Sequence, residues 1–417
     1  MKLDEKPSEL DWTADDVLRS LKPELEAELF SIANWWVTHA VDEDNGGFFG
    51  EVDSTSSPVL HANKGVVLNC RLLWFFSELA AVATPDSSPS DRTYRAMADR
   101  AYEYLINHFL DRENGGCIFE VDHLGTMTNP RKQVYAQAFF IYGLVAYHRL
   151  TKQSSAIQLA LETFRTIEEK CIDSEHGGYI EAFSRTWGKI TDYRLSQIDQ
   201  NCPKTMNTHL HILEAYTLLH DTVQLPETRD ALRKSIALFE QHIFDPQQMQ
   251  LRLYMDHDWT ELSPQLSFGH EIEYSWLTCE ACLALDDAAL KDVSQTQSVI
   301  IARKLLSKAT GPNGELSEHE ISTQPSNEPS IWWVQAEALV GYANAYQITG
   351  DSVFATAVTD VWQFIKTFHK RNSGGEWTWF GRQDANQNEI DDMYLAGSWK
   401  APYHNGRSMM ELLRRIE

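Results

Sequence analysis

Three histidines stand in otherwise apolar stretches of this chain: His211 in KTMNTHLHILEAYTLLH (204–220), His270 in GHEIEYSWLTCEACLAL (269–285) and His404 in WKAPYHNGRSMMELLRRI (399–416). Imidazole is the side chain whose ordinary pKa lies near neutrality, so it can take a proton from carbon or return one under mild conditions. A single buried histidine reads first as a satisfied core residue; three at equivalent depth shift the reading toward acid–base chemistry. Helical spacing decides which neighbours can converge with them. Asn207, His211 and Glu214 share a face at i, i+4 and i+7, His270 shares one with Glu273, and His404 shares one with Arg407. His209 points roughly 160° away from His211 and reads as packed and hydrogen-bonded, and Glu271 is likewise turned away from His270. A metal site would need ligands from three separate helices, with no HExxH and no dense carboxylate cluster to start from, so no metal or other cofactor is expected.

Other polar residues gather at the starts of the same kind of stretch: Lys64 and Arg71; Lys132, Tyr135 and Gln137; Trp333, Gln335 and Glu337; Trp399. Burying so many polar groups is costly unless they face a wet pocket or one another. Trp333 and Trp399 at this level read equally as core or as aromatic platforms for the C–H face of a sugar.

The elements that must position these residues come in two kinds. Six stretches are apolar almost all round: 64–82, 132–150, 204–220, 269–285, 332–349 and 399–416. A helix with no wet face is buried on every side. Six others are amphipathic: Trp12 to about Ala40, 90–110, 153–172, 228–244, 290–310 and 351–370. Between them a glycine turn recurs, as DNGGFFGEVD (44–53), ENGGCIFEVD (113–122), EHGGYIEAFS (175–184), PNGELSEHE (312–320) and NSGGEWTWFG (372–381), with a degenerate copy in FDPQQMQLRLYMD (244–256). The spacing of roughly 60 to 70 residues is too long for a solenoid unit of one helical hairpin. Alternating buried and wet-faced helices predict an (α/α)6 barrel with the buried helices inside, their starts meeting at one mouth, and the paired glycines making left-handed turns where each outer helix ends. An open superhelix of hairpins is the alternative. One domain over 1–417 is expected, with 1–10 a flexible N-terminus.

A formal net charge of −24 repels phosphate backbones and anionic membranes, so neither nucleic acid nor membrane is an expected partner. The start MKLDEKPSEL lacks a signal peptide's basic and apolar regions, and no apolar run is long enough to span a bilayer, so a cytoplasmic protein is expected. Cys279 and Cys282 have CxxC spacing but lie in an apolar helical run with no second pair; they read as buried free thiols. A monomer or weak homo-oligomer is expected.

With these residues in view, the chain resembles the N-acylglucosamine 2-epimerase superfamily, and within it the cellobiose 2-epimerases. The motifs are KGVVLNCRLLWFFS (64–77), KQVYAQAF (132–139), NTHLHILEAYT (207–217), FGHEIEYSWL (268–277), WWVQAEALVG (332–341) and WKAPYHNGR (399–407). The resemblance implies an (α/α)6 barrel and metal-independent interconversion of C2 epimers of a sugar. It implies His270 and His404 as the paired acid–base residues, His211 as a third histidine near the reacting oxygens, and Arg71 as the family's arginine. It implies Tyr135, Asn207 and Glu273 as polar ligands and Trp333 and Trp399 as sugar-binding tryptophans, with Asp199 a weaker match. Glu271 stands where many relatives have Asp.

Inversion at C2 needs the ring open, so that the C1 carbonyl acidifies the C2 proton. One histidine alone would tend to return the proton to the face it left; a second, across the pocket, can deliver it to the other face once the cis-enediolate has rotated. Arg71, His211 and Asn207 are expected to meet the charge on O1 and O2, Glu273 to orient His270 or bind a hydroxyl, and Arg407 to bind substrate. The alternatives are a mannose 2-epimerase or mannose/fructose isomerase, and a glycoside hydrolase using Glu273, Glu337 and Asp391 or Asp392. Loops 184–203 and 382–398 are expected to decide the substrate.

Overall fold

The structure, a computed structural model, describes residues 13–82, 91–318, 329–381 and 393–416. The expectations for residues 1–10, for Asp391 and Asp392 and for most of loop 382–398 lie outside the described residues. The first amphipathic stretch is two helices, α1 (Ala14–Ser20) and α2 (Lys22–His39). They part at Leu21 because Pro23, in the first turn of α2, has no N–H with which to continue α1. The chain then alternates: α3 (Val66–Val82), α4 (Asp91–Tyr104), α5 (Val134–Thr151), α6 (Ser154–Lys170), α7 (Met206–Val223), α8 (Pro226–Leu238), α9 (Phe268–Ala284), α10 (Ala288–Lys308), α11 (Trp332–Thr349), α12 (Ser352–Phe364) and α13 (His404–Arg415).

Odd-numbered helices from α3 to α13 form the inner ring; α2 and the even-numbered helices that follow it form the outer one. Each inner helix packs on the outer helix after it, and α13 packs back on α2. The ring closes between α13 and α3, where a Cβ on Gly406 would fall 2.3 Å from the Phe75 ring, so glycine there is what lets the two helices meet. Trp36 Nε1 donates to Glu376 at 2.6 Å and Trp377 Nε1 to Glu28 at 2.7 Å, joining the two ends of the chain across the outer ring. An open superhelix has no such contacts. Among the described residues no helix is long and apolar enough to cross a membrane.

The glycine turns do what their composition predicts. Gly46 and Gly47, Gly115 and Gly116, Gly177 and Gly178, and Gly374 and Gly375 all have positive φ, and in the degenerate copy Met249 takes the left-handed position at φ 54°. At Gly47 a side chain is excluded twice over, since a Cβ would also lie 2.6 Å from the Tyr104 ring. Two features were not expected from the sequence. Three outer helices end in a π-helical turn, at Leu105–Phe109, Phe239–Ile243 and Ile365–His369. Short antiparallel strands also line the mouth, among them β1 (Lys64–Gly65) against β2 (Glu120–Val121), which also pairs β3 (Met127–Asn129).

These rim segments stitch each inner helix to the next repeat. The first N–H of α3, α5, α7, α9 and α11 donates to the carbonyl of Phe119, Glu181, Leu253, Glu318 and Trp379 respectively, at 2.8 to 3.1 Å. Donors that a helix N-terminus would leave orphaned are thereby satisfied, and the helix starts are held at one level. Buried lysines lock the turns from beneath: Lys64 to Asp42 at 2.7 Å, Lys132 to Asp111 at 3.0 Å, Lys204 to Asp173 at 2.9 Å and Lys400 to Glu376 at 2.7 Å.

Candidate active site

The register of the inner helices sorts their polar residues into two sets. The fourth residue of each of α5, α7 and α11 faces outward onto a rim turn. Gln137 pairs with the Cys117 backbone through both N–H and C=O, Gln335 does the same at Leu316, and His209 Nε2 accepts from Tyr179 N at 3.0 Å. Glu271, the fourth residue of α9, pairs with Lys304 at 2.8 Å. His209 and Glu271 therefore lie where helical spacing put them. Lys64, Lys132, Gln137 and Gln335, grouped by the sequence with the mouth residues, hold the rim turns instead, because the side chain that reaches back from a helix start meets the preceding turn before it meets the axis.

The second and sixth residues face inward. Tyr135, Asn207 and Trp333 are second residues; Arg71, His211, Glu273 and Glu337 are sixth. With His270, His404, Asp199, Trp332, Trp379 and Trp399, all of these except Glu337 line one cavity of about 260 Å³ at the mouth, beneath Leu195, Ser196 and Ile198 of loop 184–203. Trp333 touches both candidate acid–base rings, with centroids 4.8 Å from His270 and 5.6 Å from His404. His211 lies edge-on to Tyr135 at 4.9 Å. Arg71 is held between the faces of Phe139 and Tyr403, at 4.4 and 4.5 Å, and donates from Nη2 to Tyr135 Oη at 2.8 Å. A guanidinium clamped between two rings loses little freedom when it meets an anion.

Each of the three histidines has Nδ1 engaged. In His211 it meets Glu214 at 3.0 Å, in His404 Glu337 at 2.6 Å, and in His270 the hydroxyl of Ser267 at 2.6 Å. The other ring nitrogen, Nε2, is left for the cavity. Burial is the main reason all three pKa values are depressed. It brings His270 to about 3 with help from the nearby His211, and takes His404 well below 6.5 together with Arg71 and Arg407. In His211 burial outweighs the opposing pull of Glu214. Imidazoles that are neutral at physiological pH carry a free ring nitrogen able to accept a proton.

Two expected placements are corrected. Arg407 does not line the cavity. It lies beneath it, 2% exposed, with Nη2 donating to Glu273 at 2.6 Å and Glu337 at 2.7 Å and Nη1 donating to Glu214 and Tyr403. Three carboxylates in one buried layer need a cation, and α13 supplies it at the one inner position facing all three. Glu273 does not orient His270. Its Oε1 is taken by Arg407, while Oε2 is buried with no protein partner, as is Asn207 Oδ1. Both are acceptors suited to sugar hydroxyls. Asp199 lines the cavity with Oδ2 already accepting from Ser196 N and Oγ, each at 2.7 Å.

Glu273, Glu337 and His404 bring their ligand atoms within 4.8 Å of one another, the spacing of a metal cluster. The guanidinium of Arg407 already sits on both carboxylates there, and a second cation would be repelled. Trp332, Trp379, Tyr403, Ser267 and Glu318 were not singled out from the sequence. Glu337, grouped by the sequence with the residues of the mouth, occupies the same sixth position as Arg71, His211 and Glu273.

Comparison with known proteins gives one answer. The family model described as N-acylglucosamine 2-epimerase matches residues 47–406. A protein of Bacteroides fragilis described as cellobiose 2-epimerase is 39% identical over 396 residues, covering 94% of this chain and 98% of its own. A crystal structure of a sugar epimerase from a ruminal bacterium superposes with a TM-score of 0.87 at 32% identity, covering 95% of this chain and 99% of that one. A D-mannose isomerase of Thermobifida fusca is more distant, at 22% over 403 residues, covering 89% of this chain and 93% of its own.

Proposed function

The chain belongs to the N-acylglucosamine 2-epimerase family, and from that premise we propose that it is a cellobiose 2-epimerase, inverting C2 of the reducing-end glucose of a β-linked disaccharide. The observation that carries this reading is the pair of imidazoles, His270 and His404, each anchored through Nδ1, lining one cavity and touching the same Trp333 ring. A relative 39% identical and named for that activity supports the substrate class. The alternative, isomerisation of free mannose, rests on a relative at 22%.

Once the ring is open, neutral His270 Nε2 takes the C2 proton and the electrons move into a cis-enediolate. Arg71 and the Asn207 amide N–H meet the charge on O1 and O2, where one such preorganised donor is worth about 3 kcal/mol, and His211, its Nδ1–H turned to Glu214, offers Nε2 to accept from a sugar hydroxyl. The anion raises the pKa of His404, which then holds a proton drawn from water at the mouth. After rotation about C2–C3, His404 delivers that proton to the opposite face. His270 releases the proton it took to water, and the reverse reaction exchanges the two roles. Asn207 Oδ1 and Glu273 Oε2 accept from sugar hydroxyls, and Trp333 and Trp399 offer aromatic faces. We place the reaction in the cytoplasm, where six buried cysteines with no disulfide among them suit a reducing compartment, and without a metal, since Arg407 already occupies the Glu273–Glu337–His404 cluster, the one group with metal-ligand spacing among the described residues.

Incubation of the purified protein with cellobiose, glucose, mannose and fructose separately, with products separated by chromatography, is the test. Cellobiose should give glucosylmannose and no free glucose; conversion of mannose to fructose alone would select the isomerase. His270→Ala and His404→Ala should each abolish epimerisation with the melting temperature retained, and near-normal turnover in either would end the two-base reading.

A further inference from the structure

We propose that Ser267 and Glu318 are positioning residues that hold His270 in its Nδ1–H tautomer, so that Nε2 offers a lone pair to the substrate carbon. The inference rests on the role given to His270 above. Ser267, 5% exposed, is the N-cap of α9. Its Oγ touches His270 Nδ1 at 2.6 Å and also Glu318 Oε1. The second carboxylate oxygen, Oε2, accepts from Gly269 N at 2.8 Å. Glu318 thus sits at the positive end of a seventeen-residue helix, where an ionised carboxylate is favoured.

The proton positions follow from what each group can do. An ionised carboxylate only accepts, so the single hydroxyl proton of Ser267 must point at Glu318. Ser267 Oγ can then only accept from the imidazole, which requires the proton on Nδ1 and leaves Nε2 bare. When Nε2 takes the C2 proton, the imidazolium keeps its Nδ1–H bond to Ser267, and the carboxylate two bonds away stabilises the new charge without itself gaining a proton. Glycine at 269 makes the approach feasible: a Cβ there would lie 2.9 Å from Glu318 Oε2 and 2.5 Å from the Trp333 ring. His211 and Glu337 act on His270 from α7 and α11, and Asp199, Glu273, Arg71 and His404 share its cavity. None of these has a bond to His270 Nδ1 in this structure.

The isosteric change Glu318→Gln reverses the chain of donors. The amide oxygen can keep the bond from Gly269 N, turning NH2 toward Ser267; the hydroxyl then donates to His270 Nδ1, and the neutral ring carries its proton on Nε2, facing the cavity with no lone pair. In Glu318→Gln, kcat should fall by about 100-fold or more, since fixing the wrong tautomer of a catalytic histidine has cost up to ~10⁴ elsewhere. KM should stay within about threefold, and kcat/KM should fall by the same factor for both epimers. In the full-length enzyme with 15N-labelled histidine, the His270 nitrogen shifts should exchange between Nδ1 and Nε2, a readout that a merely structural role would not move. Ser267→Ala should lose the single-tautomer signature and slow turnover about tenfold. Retention of the Nδ1–H pattern in Glu318→Gln, or turnover within twofold of wild type, would overturn the proposal. The tautomer is measured without substrate, so this result stands apart from whether cellobiose is the sugar.

Discussion

His404 and His270 line the same cavity on unlike supports. His404 stands on the floor: Nδ1 meets Glu337 directly, and Glu337 belongs to a buried layer in which Arg407 joins Glu214, Glu273 and Glu337. All of these come from inner helices. His270 stands at the rim: its partner is a hydroxyl, and the charge behind the hydroxyl belongs to Glu318, within the glycine-turn segment 312–320. One histidine is therefore set by the interior of the barrel, where any change disturbs several helices at once. The other is set by a rim segment, which can vary without repacking the core. The rim-supported histidine is therefore the one a change of loop can retune.

The largest effect should come from the floor. Arg407→Met keeps the volume of the side chain and removes the charge, leaving three buried carboxylates facing one another. Burial already raises the pKa of Glu273 and Glu337, each further opposed by neighbouring carboxylates; Arg407 is the main relief for both, with the Trp276 hydrogen bond adding to it at Glu337. Breaking such a buried network costs about 3 to 5 kcal/mol, to be read from urea unfolding at pH 7. A loss below about 1 kcal/mol would mean that the floor is not held by charge, and the contrast between the two supports would lose its basis.

Glu337→Gln should act on His404 with a smaller cost to the fold, because an amide oxygen in the place of Oε1 can still accept from Arg407 Nη2 and His404 Nδ1, and only Trp276 Nε1, which now donates to Oε2 at 3.0 Å, loses its acceptor. What is lost is the negative charge beside the imidazolium. A drop in kcat of about 100-fold with KM little changed is expected. Unchanged kcat would make Glu337 a structural carboxylate only and leave His270 as the sole tuned base.

The barrel was legible because two helical characters alternate on a long repeat, and the sequence periodicity that creates a buried face is the same one that packs it. Glycine turns were legible because positive φ leaves few other residues. The rim strands were not: two residues cannot display a period of two, and their pairing is with the next repeat. At the site, Glu214 could be placed beside His211 from i, i+3 spacing alone, whereas Glu337 reaches His404 from a separate helix and needs the barrel closed first. Arg407 was read as facing the cavity because it shares a face with His404. Three carboxylates, one each on α7, α9 and α11 and invisible in one helix's spacing, draw it underneath. Ser267 carried a local signal, as a serine three residues before His270, but Glu318 lies fifty-one residues from Ser267 and only the fold brings it there.

The smallest expected effect is on how stability follows pH, and it compares the two supports directly. Burial, with His211 adding to it, holds His270 at about 3, and burial with Arg71 and Arg407 holds His404 well below 6.5. Between pH 6.5 and about 3 the unfolded chain therefore binds protons that the native state does not, and stability rises with pH through that window. Glu214 adds to the same slope below pH 4.5. Its burial pulls upward, but Arg407 and His211 bring it to about 2. Glu273 and Glu337, raised by burial, act with the opposite sign above pH 4.5, where they stay protonated in the native state longer than in the unfolded one. Substituting one histidine isolates its share. His270→Phe should remove about 2 kcal/mol of the gain in stability between pH 4.5 and 6.5, measured as the change in urea midpoint at the two pH values. His404→Phe should remove at least as much, because two guanidinium groups oppose its protonation where none is recorded against His270. A larger loss from His270→Phe than from His404→Phe would reverse the ranking of rim and floor, and an unchanged slope in both would mean that the imidazoles titrate as they do in water.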